Sequence, residues 1–515
     1  RKGVDVIAST IVGCGLTFGR NNQYGFYCSV DHKDTDNISR EQLATLLELI
    51  PQEKLTVAHN AAGFELPVLY KAYGERWKSN GWRGFFPNMV DSRIAASYWD
   101  ENQQSHGLKQ LTKLLIGYEQ TSYDEVTQGR KMNEMTAAET LSYGLDDVYT
   151  ATGLWNFFST IMQIEGTLDA FMRIEQYPMY LSALSFVNGT PISLARLREL
   201  KQKDEAAYAE CSKTLNEYLI QQGWEGTQCP HYTETLTPAQ VKEVVQIILG
   251  QPLETAVRTI SKMATLIEEI DHPDSALLAM FIRDNNLDQI NDWVARRFDG
   301  TPEINVGSNK QLTTLLYETM GLPVRLRNKA TDAMRAKGIR EGNPRADDDA
   351  MAMAIKMGDA SPEVAPVLKA LTQMKSINTK MGLYWNPYPD MVHWTDGKLH
   401  PEVRQCATNT RRHTSSHPNI QQLDAEEGGV RSVIRPHHKD AVIVSLDLSG
   451  QEIRLLADMS RDENMMSAYM GDNPKDLHSF TAAMILGIPY DEFRARYKSE
   501  DHGIASTANA ARQVG

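Results

Sequence analysis

The chain has 515 residues, and its 53 Lys and Arg against 66 Asp and Glu give a formal net charge of −13 at pH 7. This length exceeds one ordinary hydrophobic core, so several domains are expected. Its five cysteines lie far apart, no apolar run approaches the ~20 residues of a membrane helix, and no leader pattern opens the chain. These features exclude a disulfide framework, a paired-cysteine zinc site and a membrane span, and they predict a soluble, cytoplasmic protein.

Strand and helix patterns alternate in the amino-terminal part of the chain. Residues 11–18 and 24–30 are predicted to be strands joined by a turn-rich segment. Ser39 and Gln42 predict a capping box at the start of a helix, and a further strand is expected over 55–58. The pattern is typical of an α/β domain.

Residues suited to a hydrolytic metal site follow in the same part of the chain. Tyr143 and Asp147 are four apart on a predicted helix that Thr136 and Glu139 can cap, so they share one face. Glu65 comes shortly after Asn60, which ends a predicted strand, and Asp91 lies in the segment NMVDSR. Carboxylates that converge at a sheet edge can hold two metal ions about 4 Å apart, and a tyrosine beside them can orient the attacking water.

The middle of the chain is helical in pattern and uneven in charge. Residues 225–300 have 6 basic and 12 acidic residues, whereas 301–440 have 19 basic and 16 acidic residues. The second region is therefore +3 and the remainder of the chain −16. An acidic body with a locally basic groove fits a protein that binds DNA; the alternative is an uneven solvated surface.

The segment AVIVSLDLSGQEIRLLADMS, residues 441–460, combines a strand pattern with an acidic residue and a helix start. Its first four residues predict a buried strand, and Ser449 with Glu452 predicts a capping box. Asp447 would then end the strand, where a carboxylate suits a divalent cation that also holds a phosphate. The alternative is that Asp447 only helps to start the helix.

The stretch DLSGQEIRLLADMSRDENMMSAYMGDNPKDLHSFTAA resembles the first palm motif of family A DNA polymerases, the DNA polymerase I family. The resemblance implies that Asp447 and the carbonyl of Leu448 bind two catalytic Mg²⁺ ions. It implies that Glu452 closes the space beside the sugar and so excludes ribonucleotides. His478 and Arg512 would bind the triphosphate of the incoming dNTP.

A second segment, TNTRRHTSSHPNIQQL at 408–423, is predicted to be a loop and resembles the TGRLSSxxPNLQN segment of the same family. The resemblance implies that Arg412 contacts the primer end in the minor groove, with Arg411 as the alternative. Asn419 and Gln421 would contact acceptors that every base pair presents there. The helix start at 308–310 is similar to part of the family's thumb, and the resemblance implies contacts to duplex phosphates from Ser308, Asn309, Lys310 and Lys375.

The order HNAAGFELPVLYKAYG, VDSRIAASYW, SHGLKQLTKLLIGYE and LSYGLDDVYTATGLW resembles the proofreading 3′–5′ exonuclease domain of these polymerases. The resemblance implies that Asp147 and Glu65 are metal ligands, that Tyr143 orients water, and that Asn60 supports the site or contacts DNA. The Asp-x-Glu strand that supplies two further ligands in that domain has no counterpart here. We therefore expect this nuclease site to be incomplete in the chain.

The fold class that follows is multi-domain, α/β and α+β, truncated at both ends. We expect an RNase H-like 3′–5′ exonuclease domain without its first motif over 1–165. A mostly helical thumb is expected over 166–395, with the acidic insertion at about 225–300. The first part of the palm would span 396–475 and the start of the fingers 476–515.

The predicted function is that of a phage-type replicative DNA polymerase with proofreading, acting in viral DNA replication with Mg²⁺, primer-template DNA and dNTPs. The insertion is a candidate docking surface for a replication partner. The chain alone is expected to bind primer-template weakly and to polymerise nothing. Two alternatives stay open: an RNase D-like nuclease with a helical appendix, and a non-catalytic DNA-binding scaffold descended from a polymerase.

Overall fold

The computed structural model describes residues 5–19, 22–78, 86–103, 105–224, 230–253, 255, 257, 259–297, 304–424, 428–448, 450–470 and 475–498. The chain forms two compact units, Arg1–His437 and His438–Gly515. Within the described ranges, none of the helices combines the length and apolar character that a membrane span requires. The domain limits expected at 165, 395 and 475 stay predictions.

The amino-terminal part of the larger unit mixes helices and strands, as the sequence predicts. Strand β1 (Gly13–Phe18) pairs antiparallel with β2 (Tyr24–Ser29), and β3 (Thr56–Ala58) pairs parallel with β4 (Met89–Asp91). The helices are α1 (Arg40–Glu48), α2 (Glu65–Tyr73), α3 (Ser92–Trp99), α4 (Leu108–Leu111), α5 (Tyr123–Thr127), α6 (Ala137–Ile164), α7 (Leu168–Ile174) and α8 (Pro178–Asn188). Because the described strands form separate pairs, the RNase H-like sheet stays a prediction.

Helix α6 packs against the face of the β1–β2 hairpin that contains Gly15 and Gly25. A side-chain carbon added at Gly15 would lie 2.8 Å from the backbone oxygen of Gly144 on α6, and one at Gly25 would lie 2.8 Å from the Tyr149 hydroxyl. The absence of side chains at these positions therefore permits a close approach of helix and hairpin. This contact fixes the helix that bears Tyr143 and Asp147.

The rest of the larger unit is mostly helical. Its helices are α9 (Leu194–Gln221), α10 (Pro238–Leu249), α11 (Ile260–Glu268), α12 (Ser275–Arg283), α13 (Leu287–Arg297), α14 (Asn309–Thr313), α15 (Asp332–Ala336), α16 (Asp348–Lys356), α17 (Val364–Lys380) and α18 (Pro387–Met391). Antiparallel pairs join β5 (Thr190–Pro191) to β8 (Lys398–Leu399), β6 (Arg327–Lys329) to β7 (Glu341–Pro344), and β9 (Glu402–Arg404) to β10 (Thr414–Ser416). Helix α9 packs along α17, and their shared core includes Leu215, Leu219 and Leu371.

The acidic insertion folds around a hydrophobic core of its own. Helices α10 to α13 bury Val241, Val244, Ile267, Leu278 and Ile290 against one another. The helical character expected for 225–300 is confirmed for its described residues. A segment that buries its own apolar surface is a separate folding element inside the chain that surrounds it.

The smaller unit contains α19 (Gln451–Ser460), α20 (Glu463–Tyr469), α21 (Leu477–Leu486) and α22 (Tyr490–Lys498). The buried strand expected at 441–444 is wrong: residues 441–448 have no regular secondary structure, and Val442 and Leu446 are 82% and 92% exposed. A strand is stable only when neighbouring strands satisfy its backbone groups, and no described strand pairs with this segment. Helix α19 follows Gly450, which has a φ of 62° and makes no side-chain cap; Ser449 lies outside the described residues.

The start of α6 provides a test of this fold. The Thr136 hydroxyl accepts the Glu139 N–H at 3.3 Å, and the Glu139 carboxylate accepts the Thr136 N–H at 2.8 Å. We expect Thr136→Ala to lower the free energy of unfolding by about 1 kcal/mol, measured by urea denaturation. The matched control is Thr160→Ala in the same helix, whose hydroxyl only donates to the Asn156 carbonyl at 2.7 Å and whose loss should change stability by less than about 0.5 kcal/mol. Equal effects of the two substitutions would contradict the capping role.

Candidate functional site

Tyr143 and Asp147 lie on one face of α6, as the sequence predicts, and polar neighbours surround them. Gln120 Nε2 donates to Asp147 Oδ1 at 2.9 Å, and Lys109 Nζ lies 3.9 Å from the same oxygen and 4.3 Å from the centre of the Tyr143 ring. Burial raises the pKa of Asp147, an effect that the charge of Lys109 and a hydrogen bond from Tyr143 partly offset. Burial also raises the pKa of Tyr143, so its hydroxyl keeps its proton at neutral pH.

Asp91 and Glu65 add two carboxyl groups from neighbouring elements. Asp91 is 2% exposed, ends β4 and caps α3, and its Oδ1 accepts the backbone N–H groups of Asn60 and Arg93, each at 2.8 Å. Glu65 opens α2. Burial, together with the charges of Asp91 and Asp147, raises the pKa of Glu65 to about 8. Glu65 therefore lies within electrostatic reach of both Asp91 and Asp147.

Asn60 lies two residues after β3, and its backbone N–H donates to Asp91 of this cluster. Its backbone adopts a φ of 71°, which is uncommon for a residue other than glycine. Its side-chain Oδ1 accepts a hydrogen bond from Arg93 Nη1 at 2.7 Å. Arg93 was not among the residues expected from the sequence, although a cation in the first turn of a helix opposes the helix dipole and is a recognisable signal.

The donor chemistry of this cluster suits a hard cation, but its geometry is not that of a complete metal site. Glu65 Oε2 is shielded from solvent and has no hydrogen-bond partner among the described residues, and a cation is one way to satisfy such an oxygen. Among those same residues, no three His, Cys, Asp or Glu side chains form a group that could hold a metal ion. We therefore derive no hydrolytic step through a metal.

The segment predicted to contact the primer, 408–423, follows β9 and contains β10, and contacts join this region to the amino-terminal part of the chain. Just before the segment, Gln405 Nε2 donates to the backbone oxygen of Glu175 at 3.0 Å. The Arg411 guanidinium stacks on Tyr98, 3.9 Å from the ring centre, and its Nη2 donates to the Tyr98 carbonyl at 3.3 Å. Neither Glu175 nor Tyr98 was expected from the sequence, because only the fold brings them to this segment.

The two arginines that the sequence left as alternatives have different described contacts. Both are exposed; the Arg411 guanidinium contacts Tyr98, and the Arg412 backbone N–H donates to Thr408 Oγ1 at 2.9 Å. In the same segment, Asn419 Oδ1 accepts the Gln421 N–H at 3.0 Å, and Gln421 Nε2 donates to the His413 carbonyl at 3.0 Å. The expectation that Arg412 rather than Arg411 contacts the primer stays a prediction.

The four residues expected at duplex phosphates differ in their surroundings. Ser308 caps α14, and Asn309 and Lys310 are exposed in its first turn. Lys375 is 21% exposed and its Nζ lies 3.1 Å from Asp348 Oδ1. The ammonium group of Lys375 therefore forms an ion pair with Asp348, whereas Asn309 and Lys310 are exposed to solvent at the start of α14.

The nucleotide-site residues of the smaller unit lie on separate elements. Asp447 and Leu448 are exposed in the irregular segment before α19, Glu452 lies in the first turn of α19, and His478 lies in the first turn of α21. Arg512 lies outside the described residues. In the described part of this unit the acidic residues and His478 form no metal-ligand group, so the roles of these residues stay predictions.

Comparisons with known proteins point to one family. The family model described as DNA polymerase family A matches residues 283–505. The thermostable DNA polymerase I of Thermus aquaticus is 27% identical over 247 residues, which cover 44% of this chain and 27% of that protein. DNA polymerase I of Streptococcus pneumoniae serotype 4 is 32% identical over 189 residues, 36% of this chain and 19% of that protein. The chain thus spans about a quarter or less of the length of these relatives.

A solved structure resembles the chain over almost its entire length. It is the POL domain of Pol1 from M. smegmatis in complex with DNA primer-template and dNTP. The TM-score is 0.56 at 16% sequence identity, and the likeness covers 99% of this chain and 68% of that one. The comparison establishes a shared fold.

The raised pKa of Glu65 predicts a pH dependence of stability. Its folded-state pKa of about 8 lies above the ordinary value of 4.5, so the folded chain keeps a proton that the unfolded chain releases. The stabilisation is complete below pH 4.5 and is lost as the pH rises through 8, by at most about 1.4 kcal/mol per pH unit.

We expect Glu65→Gln, which stays neutral, to flatten the fall in the free energy of unfolding between these pH values, measured by urea denaturation at several pH values. The exposed Glu53→Gln is the matched control and should leave the wild-type pH dependence in place. An unchanged slope in Glu65→Gln would show that this carboxyl group is already ionised at neutral pH.

Proposed function

Because the model of DNA polymerase family A matches residues 283–505, we propose that the protein is a DNA-directed DNA polymerase that adds dNTPs to a primer 3′ end. This match is the observation that carries the proposal. The matched region contains the segment with Arg412 and the segment with Asp447. The shared fold with a polymerase domain supports the same assignment.

The proposed chemistry depends on alignment and charge more than on covalent help from the protein. Asp447 and the Leu448 carbonyl are proposed as ligands of Mg²⁺, which would stabilise the charge that develops on the triphosphate. Glu452 is proposed to exclude ribonucleotides, and His478 and Arg512 to bind the triphosphate. Since these residues form no complete ligand set in the described chain, no individual step is assigned to the metal.

Primer binding is proposed for the segment 408–423. The stacking of Arg411 on Tyr98 at 3.9 Å restrains the backbone next to Arg412, so less conformational freedom is lost when Arg412 contacts DNA. Asn419 and Gln421 are proposed to bind minor-groove acceptors. Ser308, Asn309 and Lys310 are proposed to contact duplex phosphates at the start of α14, with Lys375 as a further candidate after release from Asp348.

A 3′–5′ exonuclease is proposed as an associated activity. The observation that favours it is that Glu65 lies within electrostatic reach of Asp91 and Asp147, and that Asp147 interacts with Tyr143. In this proposal Tyr143 and Asn60 position the water and the DNA end. The match over 283–505 disfavours a nuclease without a polymerase, and the phage-type assignment, the viral role and the incomplete nuclease site stay predictions.

The insertion with helices α10 to α13 is proposed to bind a replication partner rather than DNA. Residues 225–300 have 12 acidic residues against 6 basic ones, and a net negative charge repels the phosphate backbone. Because helices α10 to α13 share a hydrophobic core, their outer faces are held in fixed positions to which a partner can bind.

The polymerase proposal is tested by primer extension with the natural gene product. We expect Asp447→Ala to lower the extension rate by at least about 10²-fold, because the proposed metal ligand is lost, while primer-template binding changes little. The matched control is Asp491→Ala, which removes an acidic residue from α22 of the same unit and should leave extension unchanged. A gene product that binds primer-template but extends no primer would instead support the non-catalytic scaffold.

The role of the insertion is tested by replacing 230–297 with a short Gly-Ser linker. Because its core is separate, the remaining chain should fold, as judged by circular dichroism. Primer-template affinity, measured by fluorescence anisotropy, should then stay within about threefold of wild type, since an acidic surface contributes no phosphate contacts. A loss of affinity greater than about tenfold would assign the insertion to DNA binding instead.

A further inference from the structure

Two of the cysteines lie directly opposite each other in the β1–β2 hairpin. Cys14 in β1 and Cys28 in β2 are partners in the antiparallel register, and both are free thiols. Residues that face each other across two paired strands project from the same side of the sheet. The two thiols are therefore neighbours in the fold, although they lie fourteen positions apart along the sequence.

The hydrogen-bond pattern of the hairpin sets the separation of these two residues. The Val30 N–H donates to the Val12 carbonyl at 2.9 Å, so Val12 and Val30 are a hydrogen-bonded pair that continues the register of the strands. Such pairs occur at every second position of an antiparallel ladder, which makes Cys14 and Cys28 another one. Their Cα atoms are then about 5.5 Å apart, inside the range of roughly 4.4–6.8 Å that a disulfide bond spans.

Both thiols are half-buried, and their surroundings keep them protonated at neutral pH. Burial raises the pKa of Cys14 to about 12, and the charges of Cys28 and Glu65 add to this effect. Burial also raises the pKa of Cys28. The thiolate is the reactive form of cysteine, so both residues react slowly. Because the charge of Glu65 further opposes ionisation of Cys14, Cys28 ionises first of the two.

We propose that Cys14 and Cys28 are an oxidation site, where hydrogen peroxide converts the two thiols to a disulfide bond that closes the hairpin. The Cys28 sulfur attacks one peroxide oxygen, the O–O bond breaks, and water leaves with the thiol proton, so Cys28 becomes a sulfenic acid. The Cys14 sulfur then attacks the Cys28 sulfur, the S–O bond breaks, and the hydroxide leaves as a second water with the Cys14 proton. Two thiols are oxidised and one peroxide is reduced to two waters.

The pairing of the strands favours the second step over further oxidation of the sulfenic acid. It already holds the Cys14 thiol beside the oxidised sulfur, so the reaction is intramolecular and needs no search by the chain. The bond that forms joins the two strands on which α6 packs through Gly15 and Gly25. Oxidation therefore stabilises the hairpin that supports the helix with Tyr143 and Asp147.

The experiment treats the full chain with hydrogen peroxide and follows the product by intact-mass spectrometry, thiol titration and peptide mapping. We expect two of the five thiols to be lost, the mass to fall by about 2 Da because two hydrogens are removed, and the mapped cross-link to join Cys14 to Cys28. Dithiothreitol should restore both thiols. Since only the thiolate attacks, the rate should rise by up to about tenfold per pH unit below the thiol pKa.

Variants separate this pair from the other cysteines. Cys14→Ser should form no internal cross-link and should stop at a sulfenic acid on Cys28, which the reagent dimedone traps. If Cys14→Ser does not fold, as judged by circular dichroism, Cys28→Ser replaces it and should likewise form no cross-link. The matched control Cys211→Ser removes a thiol of α9, outside the hairpin, and should still form the bond between residues 14 and 28.

Three outcomes would overturn the proposal: a gain of whole oxygen atoms without a cross-link, a cross-link between other cysteines, or survival of all five thiols. Hydrogen exchange then tests the effect on the fold. Backbone amides of β1 and β2 should exchange at least about tenfold more slowly in the oxidised chain, because the bond prevents the strands from separating. Equal exchange rates in the oxidised and reduced chains would show that the bond does not stabilise the hairpin.

Discussion

The close packing of α6 on the glycine face of the β1–β2 hairpin is the contact on which the amino-terminal architecture depends. Since Gly15 leaves room for the backbone at Gly144, α6 lies near enough to the strands to contact α3 and β3 as well. That position brings Asp147 within electrostatic reach of Glu65. A larger residue at Gly15 would displace the helix and with it Tyr143 and Asp147.

The features that the sequence predicted correctly are local ones. The helix starts at Ser39 and Thr136 are capping boxes in the structure, because such caps involve residues only three positions apart. The pairing of Tyr143 with Asp147 on one helix face is equally local. A short-range pattern of this kind needs no knowledge of the fold.

The features that the sequence could not give depend on distant parts of the chain. The strand expected at 441–444 required partner strands that no described residue supplies. The contact of Arg411 with Tyr98 joins residues more than three hundred positions apart along the chain. The hydrogen bond from Arg93 to Asn60 depends on the pairing of β3 with β4. In each case the deciding partner is set by tertiary packing, on which local patterns carry no information.

The helices of the insertion, α10 to α13, bury their apolar side chains among themselves, away from the core shared by α9 and α17. A substitution such as a smaller residue at Val244 therefore weakens that bundle without loosening the cores on either side of it. A loss of packing inside the bundle is thus expected to melt these four helices at a lower temperature than the cores around them.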